Sequence, residues 1–119
     1  MRFVWLLVMG CSLLSCSTND DVACDLSLVY GLSVTVRHSE TNSVLKDGIT
    51  VMASDGDYME ELQTADLLDN FFGAPERPGM YTITITGKGF QSRIEGPVEV
   101  SADECHVITR FLEYELEPI

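Results

Sequence analysis

Two histidines, four cysteines and a dense run of carboxylates are the residues of this 119-residue chain whose chemistry could go beyond packing. His38-Ser39-Glu40 forms an H-x-E, the spacing with which zinc deaminases place a ligand beside a general acid–base. The P-C-x-x-C that must follow is absent, and His106 lies 68 residues further on. Neither G-x-S-x-G nor H-E-x-x-H occurs. Metal ligation needs donors at short, defined spacings, so both histidines read as structural or surface residues. Asp55, Asp57, Glu60, Glu61, Asp66 and Asp69 crowd fifteen positions. Calcium needs six to eight oxygens in a defined loop order, and Asp55-Gly56-Asp57 lacks it. The run reads as a solvated acidic loop. No catalytic set, metal site or cofactor is expected.

The cysteines divide by position. Arg2 is the sole basic residue before Arg37, and residues 3–14 are almost wholly apolar. One charge, about a dozen apolar residues and then small ones make a secretory leader too short to span a bilayer. Its end, Leu13-Leu14-Ser15-Cys16, resembles the bacterial lipobox. That resemblance implies cleavage before Cys16 and acylation of Cys16, with Leu14 a larger residue than usual at its position. A rival box ending at Cys11 would leave Leu13-Leu14 at the start of the mature chain, where a polar tether is expected. The expected organisation is a signal peptide over 1–15, a lipidated tether over 16–30 and one domain over 31–117. Processing removes Arg2 and the single tryptophan, Trp5. The remainder has six basic residues against 19 acids, a net charge of −13. Only Cys24 and Cys105 then remain. An oxidising compartment favours a disulfide between them, with two free thiols as the alternative.

Composition narrows the partners. The whole chain carries −12, which excludes nucleic-acid binding through the domain's own charge and disfavours a basic patch on anionic lipid. An apolar content of 45% is too high for intrinsic disorder. The elements that must position any site are strands. Residues 31–37 (GLSVTVR) alternate, with Leu32, Val34 and Val36 on one face. Residues 80–86 (MYTITIT) alternate most cleanly, placing Tyr81, Ile83 and Ile85 inward. Residues 49–53 and 58–63 read as strands around a Ser54–Asp57 turn, where Asp-Gly favours positive φ. Residues 64–70 read as a helical turn or loop with Thr64 as an N-cap. Gly96-Pro97 separates a weak strand at 90–94 from another at Val98 and Val100. Residues 105–117 are the longest run, with Ile108, Leu112, Tyr114 and Leu116 on one face and Val107 and Phe111 on the other. About seven short strands without a helical period predict an all-β fold, a single antiparallel Greek-key β-sandwich.

Glu76-Arg77-Pro78-Gly79-Met80-Tyr81-Thr82-Ile83, then Gly89-Phe90-Gln91, then Val98-Glu99-Val100 through Val107, resemble the carboxypeptidase regulatory-like domain. Gly31–Val36 and Asp47–Val51 resemble its first two strands. The resemblance covers about residues 31–117 and implies a transthyretin-like (prealbumin-like) sandwich. It is nearly silent on function. Ureide hydrolases of related fold carry a Tyr-Arg-Gly-Ser tail, which Glu115-Leu116-Glu117-Pro118-Ile119 does not match.

The expected role is a non-catalytic lipoprotein of the bacterial cell envelope that binds or makes structural contacts there. It is held on the membrane by its lipid anchor and serves an envelope protein partner. Ser17 after Cys16 resembles the outer-membrane sorting pattern. An accessory or inhibitor module of an envelope hydrolase is the alternative, and a small ligand- or glycan-binding module another. Phe71 and Phe72, the one conspicuous aromatic pair, are the candidates for partner contact, with core packing as the competing reading.

Overall fold

The computed structural model describes residues 24–119; the expectations for Cys16 and the leader lie outside them. Seven strands follow one another: β1 (Tyr30–His38), β2 (Ile49–Asp55), β3 (Tyr58–Glu61), β4 (Phe71–Pro75), β5 (Gly79–Gly87), β6 (Arg93–Val100) and β7 (Arg110–Leu116). They form a three-stranded sheet in the order β4-β1-β7 and a four-stranded sheet in the order β3-β2-β5-β6. The expected all-β sandwich is therefore what forms. Its pairings are antiparallel with one exception: β1 and β7 run parallel, Leu32 opposite Arg110 through His38 opposite Leu116.

Alternation explains the core. On β5, Tyr81, Ile83 and Ile85 are wholly buried, while Met80, Thr82 and Thr86 face solvent. On β1, Leu32, Val34 and Val36 meet them from the other sheet, with Val51, Val100 and Leu116 closing the layer. No polar or charged residue is buried among the described residues. Gly31 interrupts the period on β1. A Cβ there would stand 2.8 Å from the Val100 side chain, so glycine lets the sheets approach. Gly31 and Leu32 are thus both buried in succession, and Tyr30 ends on the outer face, its ring 4.8 Å from that of Phe72.

Three expectations change, and one left open is settled. Residues 64–70 take the loop of the two forms expected, not the helical turn. Thr64 closes it by donating to the Asn70 carbonyl at 2.8 Å, and the Lys46 ammonium gathers the carbonyls of Ala65, Asp66 and Leu68. Seven residues cannot offset helix nucleation without such tertiary help. Residues 71–75 (FFGAP) form β4, which carries no alternation to announce it. Arg93–Val100 is one strand, because β6 lies at the sheet edge where proline is tolerated. Gly96 (φ 138°) and Pro97 form its bulge opposite Tyr81–Ile83. A Cβ on Gly96 would stand 2.7 Å from the Tyr81 carbonyl oxygen. Finally, β7 begins only at Arg110, so Ile108 does not share the face of Leu112 and Leu116. Ile108 is half-exposed, and Phe111 is 80% exposed.

The turns carry their own chemistry. Gly56 (φ 61°) makes the two-residue turn of the β2–β3 hairpin. The Tyr81 hydroxyl donates to the Arg77 carbonyl four residues upstream at 2.8 Å. The Arg77 guanidinium donates to the Tyr81 hydroxyl (3.0 Å) and Asp55 (3.1 Å), and lies 3.8 Å over the Tyr58 ring. Pro78-Gly79 is thereby locked at the start of β5.

Ile83→Ala should cost about 2–5 kcal/mol through lost burial and the cavity left behind. Thr84→Ala, on the outer face, should cost well under ~1 kcal/mol. Urea denaturation of both variants checks the register. Equal costs would place Thr84 in a buried layer.

Candidate functional site

The structure gathers the notable side chains at one end of the sandwich, where the chain enters the fold. Cys24 and Cys105 come together there, with sulfurs at bonding distance and Cα atoms 5.3 Å apart across 81 positions of sequence. The tether expected over 16–30 thus belongs to the folded unit from Cys24 onward.

Beside the cysteines stands His106. Asp103 shapes its loop by accepting the backbone N–H groups of Cys105 (2.8 Å) and His106 (2.9 Å), a local turn that aspartate favours. The imidazole, about one-fifth exposed, lies between two carboxylates. Nδ1 is 2.5 Å from Glu76 Oε2 and Nε2 is 2.8 Å from Asp25 Oδ1. Glu76 also accepts the N–H of Val29 (3.0 Å) and of Val107 (3.2 Å). Its backbone is left-handed, φ 50°, two residues after Ala74 at φ 54°. One glutamate therefore ties together the incoming segment, the β4–β5 turn and the loop before β7.

The titration follows from this geometry. Hydrogen bonds to Glu76 and then Asp25 raise the His106 pKa above the ordinary imidazole value. Desolvation pushes the Glu76 carboxyl up, but the hydrogen bonds from His106, Val29 and Val107 outweigh it and hold the group below its usual range. Asp25 is lowered by the Ser27 hydroxyl and then by His106. Asp103 is lowered by the amides of His106 and Cys105. The four groups form a clamp whose charged state is the stable one. It ties three chain segments together, and among the described residues the imidazole is hydrogen-bonded to Glu76 and Asp25.

The remaining candidates separate. His38 lies at the end of β1, where its Nδ1 accepts the Glu40 N–H at 3.1 Å and its ring meets Phe90 edge-on at 5.5 Å. It caps a turn. Within the acidic run, Asp55 pairs with Arg77, and Glu60 accepts both the Tyr58 hydroxyl (2.7 Å) and the Ala74 N–H (2.8 Å). The Glu60 hydrogen bond pushes the Tyr58 phenol up to about 12. No group of three metal-ligating side chains converges among the described residues.

The aromatic pair divides across β4. Phe71 lies opposite Val34 and is buried, as the core-packing reading of the pair expects, so it is not available for partner contact. Phe72, one residue on, points outward with Tyr30. Leu28, Leu68, Thr109 and Phe111 join it in an open, mainly apolar groove of about 410 Å³. Sequence reading had named only Phe72 of this set. The exposed Phe111 was visible as a break in the parity of the last strand, but its neighbours come from four other segments.

The sequence matches no family model and no curated protein.

Two measurements follow. The oxidised domain should show no alkylatable thiol by intact mass, and Cys105→Ser should lose about 2–4 kcal/mol, at ~4–8 °C of melting temperature per kcal/mol for a domain this small. The clamp should also shape stability against pH. The His106 contribution is complete below the unfolded imidazole pKa, about 6.5, and is lost as pH rises through its raised folded value. The carboxylate contributions are complete above about pH 4.5 and are lost as pH falls through their lowered folded values. Melting temperature should therefore plateau between these limits, and His106→Gln should flatten the alkaline limb. An unchanged alkaline limb in that variant would show that His106 does not set it.

Proposed function

We propose that this chain is an exported bacterial lipoprotein whose sandwich is a non-catalytic interaction module held at the membrane surface through acylated Cys16. The observation that carries the reading is Leu13-Leu14-Ser15-Cys16, following one basic residue and an apolar run. The pairing of Cys24 with Cys105 supports it, because such a bond persists in an oxidising, extracytoplasmic space. Ser17 favours the outer membrane as the destination, and a three-chain acyl anchor exceeds the two-signal threshold for stable attachment. We read the two-sheet architecture as transthyretin-like, of the carboxypeptidase regulatory-like kind. The exposed side chains best suited to contact are apolar, Phe72 and Phe111 among them, and they fit an interaction module better than a hydrolase.

Cys16→Ala tests the anchor. The wild-type protein should fractionate with membranes and carry the mass of a processed, acylated cysteine. The variant should accumulate as an unprocessed or soluble form. A variant that still runs as mature protein and stays with membranes would refute the reading.

A further inference from the structure

We propose that the groove on the outer face of the β4-β1-β7 sheet is a membrane-contact surface, which lays the domain against the lipid bilayer that carries its own anchor. This rests on the lipid-anchor reading above and adds an orientation to it.

The first argument is charge. Ten residues line the groove, among them Leu28, Tyr30, Leu68, Phe72, Thr109 and Phe111, and none of the ten is charged. Four other surface depressions each carry at least two charged side chains. In a chain of net charge −12, the groove is a depression whose own lining adds no charge against an anionic membrane; Glu113 and Glu115 lie further along the same face of β7, Glu113 paired with Arg37.

The second argument is hydrogen bonding. Apart from the Tyr30 hydroxyl, the polar side chains of the groove are already partnered within the protein. Thr109 Oγ1 donates to the Tyr30 carbonyl at 2.7 Å, and Asn70 Nδ2 donates to Ser33 Oγ at 2.6 Å. A protein interface uses about one hydrogen bond per 100–200 Å², and a glycan uses more. What this face still offers is apolar surface: Phe111 is 80% exposed and Leu28 59%. Leu26, Leu67 and Ile108, also exposed, lie within three residues of groove-lining positions along the chain. Aromatic and aliphatic side chains without charge are what the headgroup–acyl boundary accepts.

The third argument is reach. Cys16 and Cys24 are eight positions apart, so the bilayer holding Cys16 lies within about 29 Å of Cys24. Cys24 is fixed by Cys105, and Asp25 by His106. From that fixed point the chain runs straight into the groove, since Leu28 and Val29 line it. The face next to the anchor is therefore the apolar one. A tether this short holds the face at an effective concentration of order mM, so a weak contact suffices to orient the domain.

Trp5 precedes Cys16, so the mature chain has no tryptophan, and a single reporter can be placed at will. Phe111→Trp reports from the groove. Ile94→Trp, on an exposed residue of β6 in the opposite sheet, is the control. Each purified lipidated protein is reconstituted into phosphatidylcholine vesicles with and without brominated acyl chains, and vesicle flotation is measured in parallel. Phe111→Trp should show blue-shifted emission that brominated lipid quenches, and Ile94→Trp should show neither. Equal and weak quenching of both, in protein that floats with the vesicles, would overturn the membrane contact and leave the anchor standing. Protein that does not float would overturn both. A groove that stays solvent-exposed on vesicles, but whose Phe111→Ser variant loses a co-purifying envelope protein, would assign the face to a protein partner instead.

Discussion

The carboxylate of Glu76 accepts two backbone N–H groups and the imidazole of His106, and the geometry of the sandwich end follows from those bonds. The partners come from two segments far from Glu76 in sequence, Val29 in the incoming segment and His106 with Val107 before β7. To reach them, Glu76 adopts a left-handed backbone that costs a non-glycine residue on the order of 1–2 kcal/mol. Charge-assisted hydrogen bonds are about twice as strong as neutral ones, so three of them on one carboxylate offset that strain. Without this carboxylate the incoming segment would keep Asp25, the cysteine pair, the backbone bond from the Glu76 N–H to the Val29 carbonyl and the packing of Val29 on the core.

The rest of the fold is organised so that this end stays closed. The core is built from side chains without buried polar groups, and its layers are short. A domain of this size buries only about 60–65% of its unfolded surface, so covalent closure across 81 positions matters more than in a larger protein. Two arginines hold the open seam between the sheets. Arg93 donates to the Glu115 carbonyl and Arg110 to the Glu99 carbonyl, each at 2.8 Å. They occupy edge carbonyls that would otherwise invite pairing with another chain. The Tyr81–Arg77–Asp55 cluster does the same for the turn into β5.

Surface character then divides by face. The 19 acids against 7 basic residues favour solubility. The groove beside the incoming segment is neutral and apolar. Its walls come from the incoming segment, β1, the loop before β4, β4 itself and the start of β7; sheet pairing brings the strands together, and the cysteine pair and the clamp hold the incoming segment beside them.

Residues 31–37 and 80–86 announced their strands, and their inward sets, by alternation. The period of two is a property of the local backbone and needs no partner to be visible. The net charge and the cysteine count were legible for the same reason: each is read along the chain. β4 was hidden, because Phe-Phe-Gly-Ala-Pro has no alternation, and its strand conformation comes from pairing with β1. Gly96-Pro97 looked like a break because only sheet context shows that β6 is an edge strand that can hold a bulge. The parallel pairing of β1 with β7, and the meeting of His106 with Glu76 30 positions away and Asp25 81 away, left no mark on local spacing. Contacts of that range are selected by which layers bury together, and tertiary structure alone decides them.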